Sequence, residues 1–227
     1  MDVAVVKPVV RGVIFDCDGV LVDTENLANQ VMVDLLRQNG CNVTARETHD
    51  LFIGGTLALV APTIAEKFGV ILPDGWVDEC YTRTFAAFER DLQPIADLPV
   101  LLDMLDANGI PMAVGSNGPH DKMKVSLGKV GLYDRFAGRI CSARDVPNPK
   151  PAPDVFLLAA ERIGVAIEDC VVIDDSVAGV TAGVASGATV IGLVDLTPAE
   201  ILQGAGAHYV ARDHDHLHDL LAGWLNR

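Results

Sequence analysis

Positive charge is scarce in this chain: 17 Lys and Arg stand against 31 Asp and Glu, a net charge of −14 at neutral pH. Phosphate backbones and anionic membrane surfaces are bound through an excess of Lys and Arg, so neither nucleic acid nor membrane is an expected partner. A small anionic ligand is still allowed, because one local cluster of cations can oppose the global field. Paired cysteines are also lacking. The five present (17, 41, 80, 141 and 170) are odd in number, scattered, and form no CxxC. A disulfide frame and a zinc site are therefore not expected, and reduced thiols in a cytoplasmic protein are. No run reaches the roughly eighteen apolar residues of a membrane span. The opening MDVAVVKPVVRG has no basic segment before its apolar stretch, so no signal peptide is expected. Internal repeats and low-complexity linkers are absent too.

What is present is an ordinary soluble balance, half apolar and about a fifth charged, in 227 residues. That is enough for one large domain or a core with a smaller companion. Short β-rich apolar runs occur at Val13-Ile14-Phe15, 111–115, 170–173 and 188–192. Continuous rather than alternating apolarity marks strands buried on both faces, as in a parallel sheet. Helical patterns lie between them. Leu98, Leu101, Leu102 and Leu105 lead to Asn108-Gly109 as a C-cap, and Phe156, Leu157, Ala160 and Ile163 follow Pro153-Asp154. The alternation predicts an α/β, doubly wound parallel sheet.

Residues 26–96 differ, with helical patterns and no convincing strand. Thr44-Ala45-Arg46-Glu47 reads as a capping box opening a helix that ends near Gly54-Gly55. Val77, Tyr81, Phe85 and Phe88 form a helical stripe, read with Trp76 as a small helical core. The expected organisation is a core of residues 1–25 and 97–227 interrupted by an all-α insert, 26–96.

Chemistry gathers at the carboxyl ends of the strands, where open parallel sheets bind ligands. Within GVIFDCDGVLVDTE, residues 12–25, Asp16 and Asp18 flank Cys17 and Asp23 follows. Carboxylates this close repel and lose hydration when partly buried, so a merely structural role would be costly. A second strand ends in Ser116-Asn117-Gly118 and a later one in Asp174-Asp175-Ser176. Between these, Asn148-Pro149-Lys150-Pro151 holds a lysine just before a helix start. Converging carboxylates with no arginine in the motif suit a hard divalent cation such as Mg²⁺, and the whole set suits phosphoryl transfer. A carboxylate can attack phosphorus, and a second carboxyl can protonate the leaving alkoxide and then deprotonate water. Ser116, Lys150 and backbone N–H groups can hold the other phosphate oxygens.

The order DCDGVLVDTE, GSNGP, NPKPAPDVF, IDDSVAG resembles the haloacid dehalogenase-like hydrolase superfamily, more closely its phosphatase and β-phosphoglucomutase-like branch. The resemblance covers nearly the whole chain. It implies a Rossmann-like core with a helical cap and makes Asp16 the nucleophile and Asp18 the general acid/base. Ser116, Asn117 and Lys150 would hold phosphate. Mg²⁺ would be bound by Asp16, the backbone carbonyl of Asp18, and Asp175, with Asp174 either a ligand or orienting the groups that are. Gly54, Gly55 and Thr56 are candidate cap contacts to substrate. Within the superfamily, Asp18 argues against dehalogenases and phosphonatases, which lack that aspartate. β-Phosphoglucomutases carry a histidine at the position of Ala28 and an arginine near that of Leu57, so both positions weaken a mutase. The stretch VGSNGPHDKMKVSLGKVGL resembles bacterial phosphatases of the 6-phosphogluconate type. The implied activity is a Mg²⁺-dependent phosphatase of a small sugar or sugar-acid phosphate, monomeric or weakly dimeric. The alternatives are a phosphohexose mutase and a non-catalytic phosphometabolite-binding module.

The remaining conspicuous residues read as structural. Asp23 and Thr24 are expected to cap a helix, and Asp174 or Asp175 to cap a helix over 177–186 in addition to any metal role. Cys17 should point away from its flanking acids, which would raise its pKa and suppress the thiolate. The run His214-Asp215-His216-Leu217-His218 reads as an exposed turn before a final helix over 217–225, not as a metal site.

Overall fold

The structure, a computed structural model, describes residues 8–52 and 57–225. They divide into two compact units, one formed by the chain up to Val22 together with the chain from Pro94 onward, the other by Asp23–Gln93.

The Asp23–Gln93 unit is helical: α1 (Glu25–Gln38), α2 (Ala45–Phe52), α3 (Val60–Phe68) and α4 (Trp76–Asp91). Thr44 and Glu47 close the expected capping box, with Thr44 N–H donating to Glu47 Oε2 at 2.8 Å and Glu47 N–H to Thr44 Oγ1 at 3.2 Å. That bond pattern satisfies two orphan donors of α2 at once. The start of α1 departs from expectation. Asp23 does not open it; Thr24 takes the N-cap position, already helical at φ −98° and ψ −18°, and its side chain makes no cap bond. The buried face of α4 is also one residue out of phase with the expected stripe. Trp76, Cys80, Thr84, Ala87 and Phe88 are buried, while Tyr81 and Phe85 pair with each other at 5.9 Å along its margin. Trp76 and Cys80 pack with Leu35, Leu36, Val60 and Ile64 in one apolar cluster. The expected loop residues Gly54, Gly55 and Thr56 lie outside the described residues.

The second unit is the doubly wound α/β fold the alternation predicts. Strands β1 (Gly12–Phe15), β2 (Met112–Ser116), β3 (Ile140–Ser142), β4 (Cys170–Asp174), β5 (Thr189–Leu193) and β6 (Tyr209–Ala211) form one sheet in the order β3-β2-β1-β4-β5-β6. Every neighbouring pair is parallel. Its helices are α5 (Leu98–Ala107), α6 (His120–Lys129), α7 (Asp154–Ile163), α8 (Val177–Ser186), α9 (Ala199–Gly204) and α10 (His214–Leu225). β1, β2 and β4 are buried at every position, the reason their sequences are apolar without alternation. Ile14, Val172, Val190, Phe156 and Val180 meet in one core cluster between sheet and helices. The edge strands β3 and β6 have three residues each and leave no periodic signal in the sequence.

The final helix begins earlier than expected. Asp213 caps it, accepting His216 N–H at 2.8 Å, so all three histidines of the run lie within α10 instead of in a turn. His214 Nε2 sits 2.8 Å from the Val20 carbonyl, which ties α10 to the loop after β1. No helix among the described residues is long and apolar enough to cross a membrane.

Candidate active site

The chain runs β1, β2, β3 outward on one side of β1 and then returns to place β4 on the other. That reversal opens the crevice in which doubly wound sheets bind ligands. Phe15 pairs with Ile173, and Asp16 N–H donates to the Ile173 carbonyl at 2.9 Å. The next residue on each strand is therefore an aspartate, and Asp16 and Asp174 arrive side by side. One oxygen each of Asp16, Asp174 and Asp175 lies within 4.8 Å of the others, and all three residues are buried.

Lys150 reaches this cluster from the loop before α7. Its Nζ lies 2.8 Å from both Asp16 Oδ1 and Asp174 Oδ2, with only 3% of its side chain exposed. Asn117 holds the lysine's backbone: Lys150 N–H donates to Asn117 Oδ1 at 2.9 Å, and Asn117 Nδ2 donates to the Lys150 carbonyl at 3.3 Å. The Phe156 ring lies under the ammonium, 4.6 Å from its centroid. Gly115 makes room for that ring, since a Cβ there would come within 2.9 Å of it.

Asp174 is itself fixed. Its Oδ1 accepts Ser176 N–H at 2.9 Å and Ser176 Oγ–H at 2.7 Å. Ser176, and neither aspartate, caps α8, its Oγ accepting Gly179 N–H at 3.0 Å. Two glycines give the acids their space. A Cβ on Gly19, at φ +76°, would overlap the Asp175 carboxylate, and one on Gly179 would overlap that of Asp174.

Burial is the largest influence on Asp16 and, with help from Asp174 and Asp18 and against the pull of Lys150, pushes its pKa up to about 7. For Lys150, burial opposes the charge, but Asp16 and Asp174 outweigh it and the pKa rises. Cys17 is fully buried; desolvation, then Asp18 and Asp16, lift its thiol far from ionisation, which removes it as a nucleophile.

Asp18 has a partner of its own. Lys122, in the first turn of α6, places Nζ 2.8 Å from Asp18 Oδ2, both side chains about one-fifth exposed. The Ser116–Gly118 loop between them is braced from β3. Ser116 Oγ accepts Gly118 N–H at 3.0 Å, and Ser142 Oγ–H donates to the Gly118 carbonyl at 2.7 Å. Asp145 accepts Ser142 N–H at 2.9 Å, and His120 Nε2 bridges both its oxygens at 2.9 Å. Burial works against ionisation of Asp145, yet Ser142 and His120 hold its pKa below the usual value.

Asp16, Asp18, Ser116, Asn117, Lys150, Asp174 and Asp175, singled out in the sequence, thus gather at one end of one sheet. Sequence reading missed Lys122, Phe156 and Ser142 as parts of the site, and named Ser176 only beside the two aspartates, one of which was expected to cap α8 in its place. Of the three missed residues only Lys122 left a local mark, a lysine in the first turn of a helix, where the backbone dipole disfavours positive charge.

The charges describe what the site can accept. Four carboxyl groups, those of Asp16, Asp18, Asp174 and Asp175, stand with the ammonium groups of Lys150 and Lys122 in a largely buried volume. Hard carboxylate oxygens grouped in this way fit a divalent cation of the Mg²⁺ kind.

With this geometry the chain belongs to the haloacid dehalogenase-like hydrolases, whose family model matches residues 10–187. It is therefore an enzyme of a hydrolase family, and its relatives include named phosphatases. It is 32% identical over 179 residues to a 6-phosphogluconate phosphatase of Escherichia coli (strain K12), covering 78% of this chain and 80% of that protein. Among solved structures, a HAD family hydrolase of Deinococcus radiodurans R1 with bound phosphate and sodium is 32% identical. It superposes with a TM-score of 0.82 over 95% of this chain and 96% of that one. A putative β-phosphoglucomutase of Thermotoga maritima is 25% identical with a TM-score of 0.80, covering 94% of this chain and 99% of the other.

Proposed function

We propose that the protein is a Mg²⁺-dependent phosphomonoesterase that hydrolyses a sugar or sugar-acid phosphate through an aspartyl-phosphate on Asp16. The observation that carries this reading is the buried Asp16 at the sheet's switch point, with Lys150 on Oδ1 and a second aspartate two residues on. In the first half-reaction a carboxylate oxygen of Asp16 attacks phosphorus as the bond to the ester oxygen breaks. Asp18, protonated, gives its proton to the departing alkoxide. In the second, Asp18 takes a proton from water as the water oxygen attacks phosphorus, releasing inorganic phosphate and Asp16. Lys150, Ser116 and the backbone N–H of Asn117 hold the transferring oxygens, with the Asn117 side chain securing Lys150.

Asp16, Asp175 and the Asp18 carbonyl would hold Mg²⁺, while Asp174, both of whose oxygens already accept bonds from Ser176 and Lys150, would orient them. The cation, when bound, supplies positive charge that keeps Asp16 ionised and offsets the incoming phosphate. The likeness to a 6-phosphogluconate phosphatase supports a sugar-acid substrate, and the five buried free thiols fit a reducing cytoplasm. Phosphate release from a panel of sugar and sugar-acid phosphates, with and without Mg²⁺, tests the proposal beside Asp16→Asn. Turnover that needs Mg²⁺ and vanishes in the variant is expected. An unaffected variant, or no turnover of any ester, refutes the reading, and isomerised phosphosugar in place of free phosphate would make the enzyme a mutase.

A further inference from the structure

We infer that Lys122 is a positioning residue for the proton-transfer step: it holds the Asp18 carboxyl at the angle from which Asp18 serves the leaving group. The inference rests on the phosphatase reading given above, and it concerns a residue 104 positions from Asp18 in the chain.

An aspartate's terminal torsion, between sp³ and sp² carbons, is broad and roughly two-fold, so the side chain alone does not fix where its oxygens point. Proton transfer tolerates little such freedom, because donor and acceptor must lie about 2.6–3.2 Å apart. A charge-assisted contact on one oxygen removes the freedom. Lys122 makes that contact at 2.8 Å on Oδ2. Its stem runs beside the Ser116–Gly118 turn. A Cβ added at Gly118 would stand 3.7 Å from both Lys122 Cδ and Asp18 Oδ2, and 3.3 Å from Ser116 Oγ. The lysine, the general acid/base and the phosphate-holding turn therefore share one packed corner, itself braced by the Ser142 bond to the Gly118 carbonyl.

The location of Lys122 points the same way. A cation in the first helical turn opposes the positive end of the helix dipole, and the buried face of α6, formed by Met123, Ser126 and Leu127, does not include it. Residues that break a local rule gather where function compensates them. Lys150 cannot substitute, since its ammonium is already shared between Asp16 and Asp174.

The test uses two esters with different needs. A sugar alkoxide leaves badly without a proton, whereas p-nitrophenolate leaves readily without one. Lys122→Met should lose about 30-fold in kcat on the best sugar phosphate of the panel, part of the roughly 10²–10⁴-fold that acid–base catalysis supplies. The loss on p-nitrophenyl phosphate should be about tenfold smaller, and Lys122→Arg should recover most of the sugar-phosphate rate. On the sugar phosphate, Asp18→Asn with Lys122→Met should be no slower than Asp18→Asn alone, because residues acting as a unit are not additive. Equal losses on the two esters, additive losses in the double variant, or a raised KM with unchanged kcat would each overturn the inference. The last would make Lys122 a ground-state binding residue. If the unaltered enzyme turned over neither ester, the phosphatase reading itself would have failed.

Discussion

Replacing Gly179 by alanine in α8 sets helix propensity directly against the site. In an exposed helix interior, Gly→Ala stabilises by about 0.5–1 kcal/mol. Here the new methyl group would overlap the whole Asp174 carboxylate. Asp174 is fully buried and could move only by giving up bonds from Ser176 N–H, Ser176 Oγ–H and Lys150 Nζ. Hydrogen bonds to charged groups contribute ~1.5–3 kcal/mol each, and overpacking a core costs ~1–3 kcal/mol. Because these bonds belong to one network and do not add, a net loss of about 3–5 kcal/mol is expected. At roughly 2–4 °C per kcal/mol for a chain of this size, the melting temperature should fall by about 6–20 °C. Gly128→Ala in α6 is the control, since nothing lies within 4 Å of a Cβ there, and it should hold or raise the melting temperature. Urea and thermal unfolding of both variants, with phosphate release measured in parallel, check the argument. If Gly179→Ala were as stable as Gly128→Ala, the packing of Asp174 against α8 would not be what limits position 179.

Three other outcomes follow from the site. Asp16, with a pKa raised from 3.8 to about 7, binds more protons folded than unfolded between those values. In EDTA, the stability of the parent relative to Asp16→Asn should therefore fall as pH rises from about 4 to 7 and level off above; a relative stability that rises over that window would contradict the burial of this acid. Mg²⁺ at about 100 times its dissociation constant should raise the parent's stability by ~2.7 kcal/mol, and Asp175→Asn should lose most of that gain in a thermal-shift titration. All five cysteines are free and buried, so iodoacetamide should label native protein slowly and urea-unfolded protein fully, as read by mass spectrometry. Fast labelling of Cys17 would conflict with its buried, un-ionised state.

The sheet was legible because burial leaves a mark on composition. Strands β1, β2 and β4 are covered on both faces, so their residues are apolar without alternation, and each ends where polar residues begin. β3 and β6 are edges of three residues, too short to carry a period. The α4 stripe was misread by one position because a sixteen-residue helix offers two adjacent apolar rows, and only packing selects between them. The start of α1 and the extent of α10 shifted for a related reason: which of several polar residues caps a helix depends on backbone angles set by the surrounding chain. The acids of the candidate site were visible as an ordered set of motifs. Lys122 on Asp18, Phe156 under Lys150 and Ser142 on the Gly118 carbonyl were not, being ordinary residues on helices and an edge strand.

Local chemistry and order along the chain thus determined the alternating fold, the helical insert and the family, because strand burial, capping and motif spacing are all written in neighbouring residues. The tertiary structure decided which lysine meets which acid. It set Lys150 between Asp16 and Asp174 and Lys122 on Asp18, pairings between residues 24 to 134 positions apart. Such contacts arise from strand register and helix packing, and nothing in the local sequence encodes them.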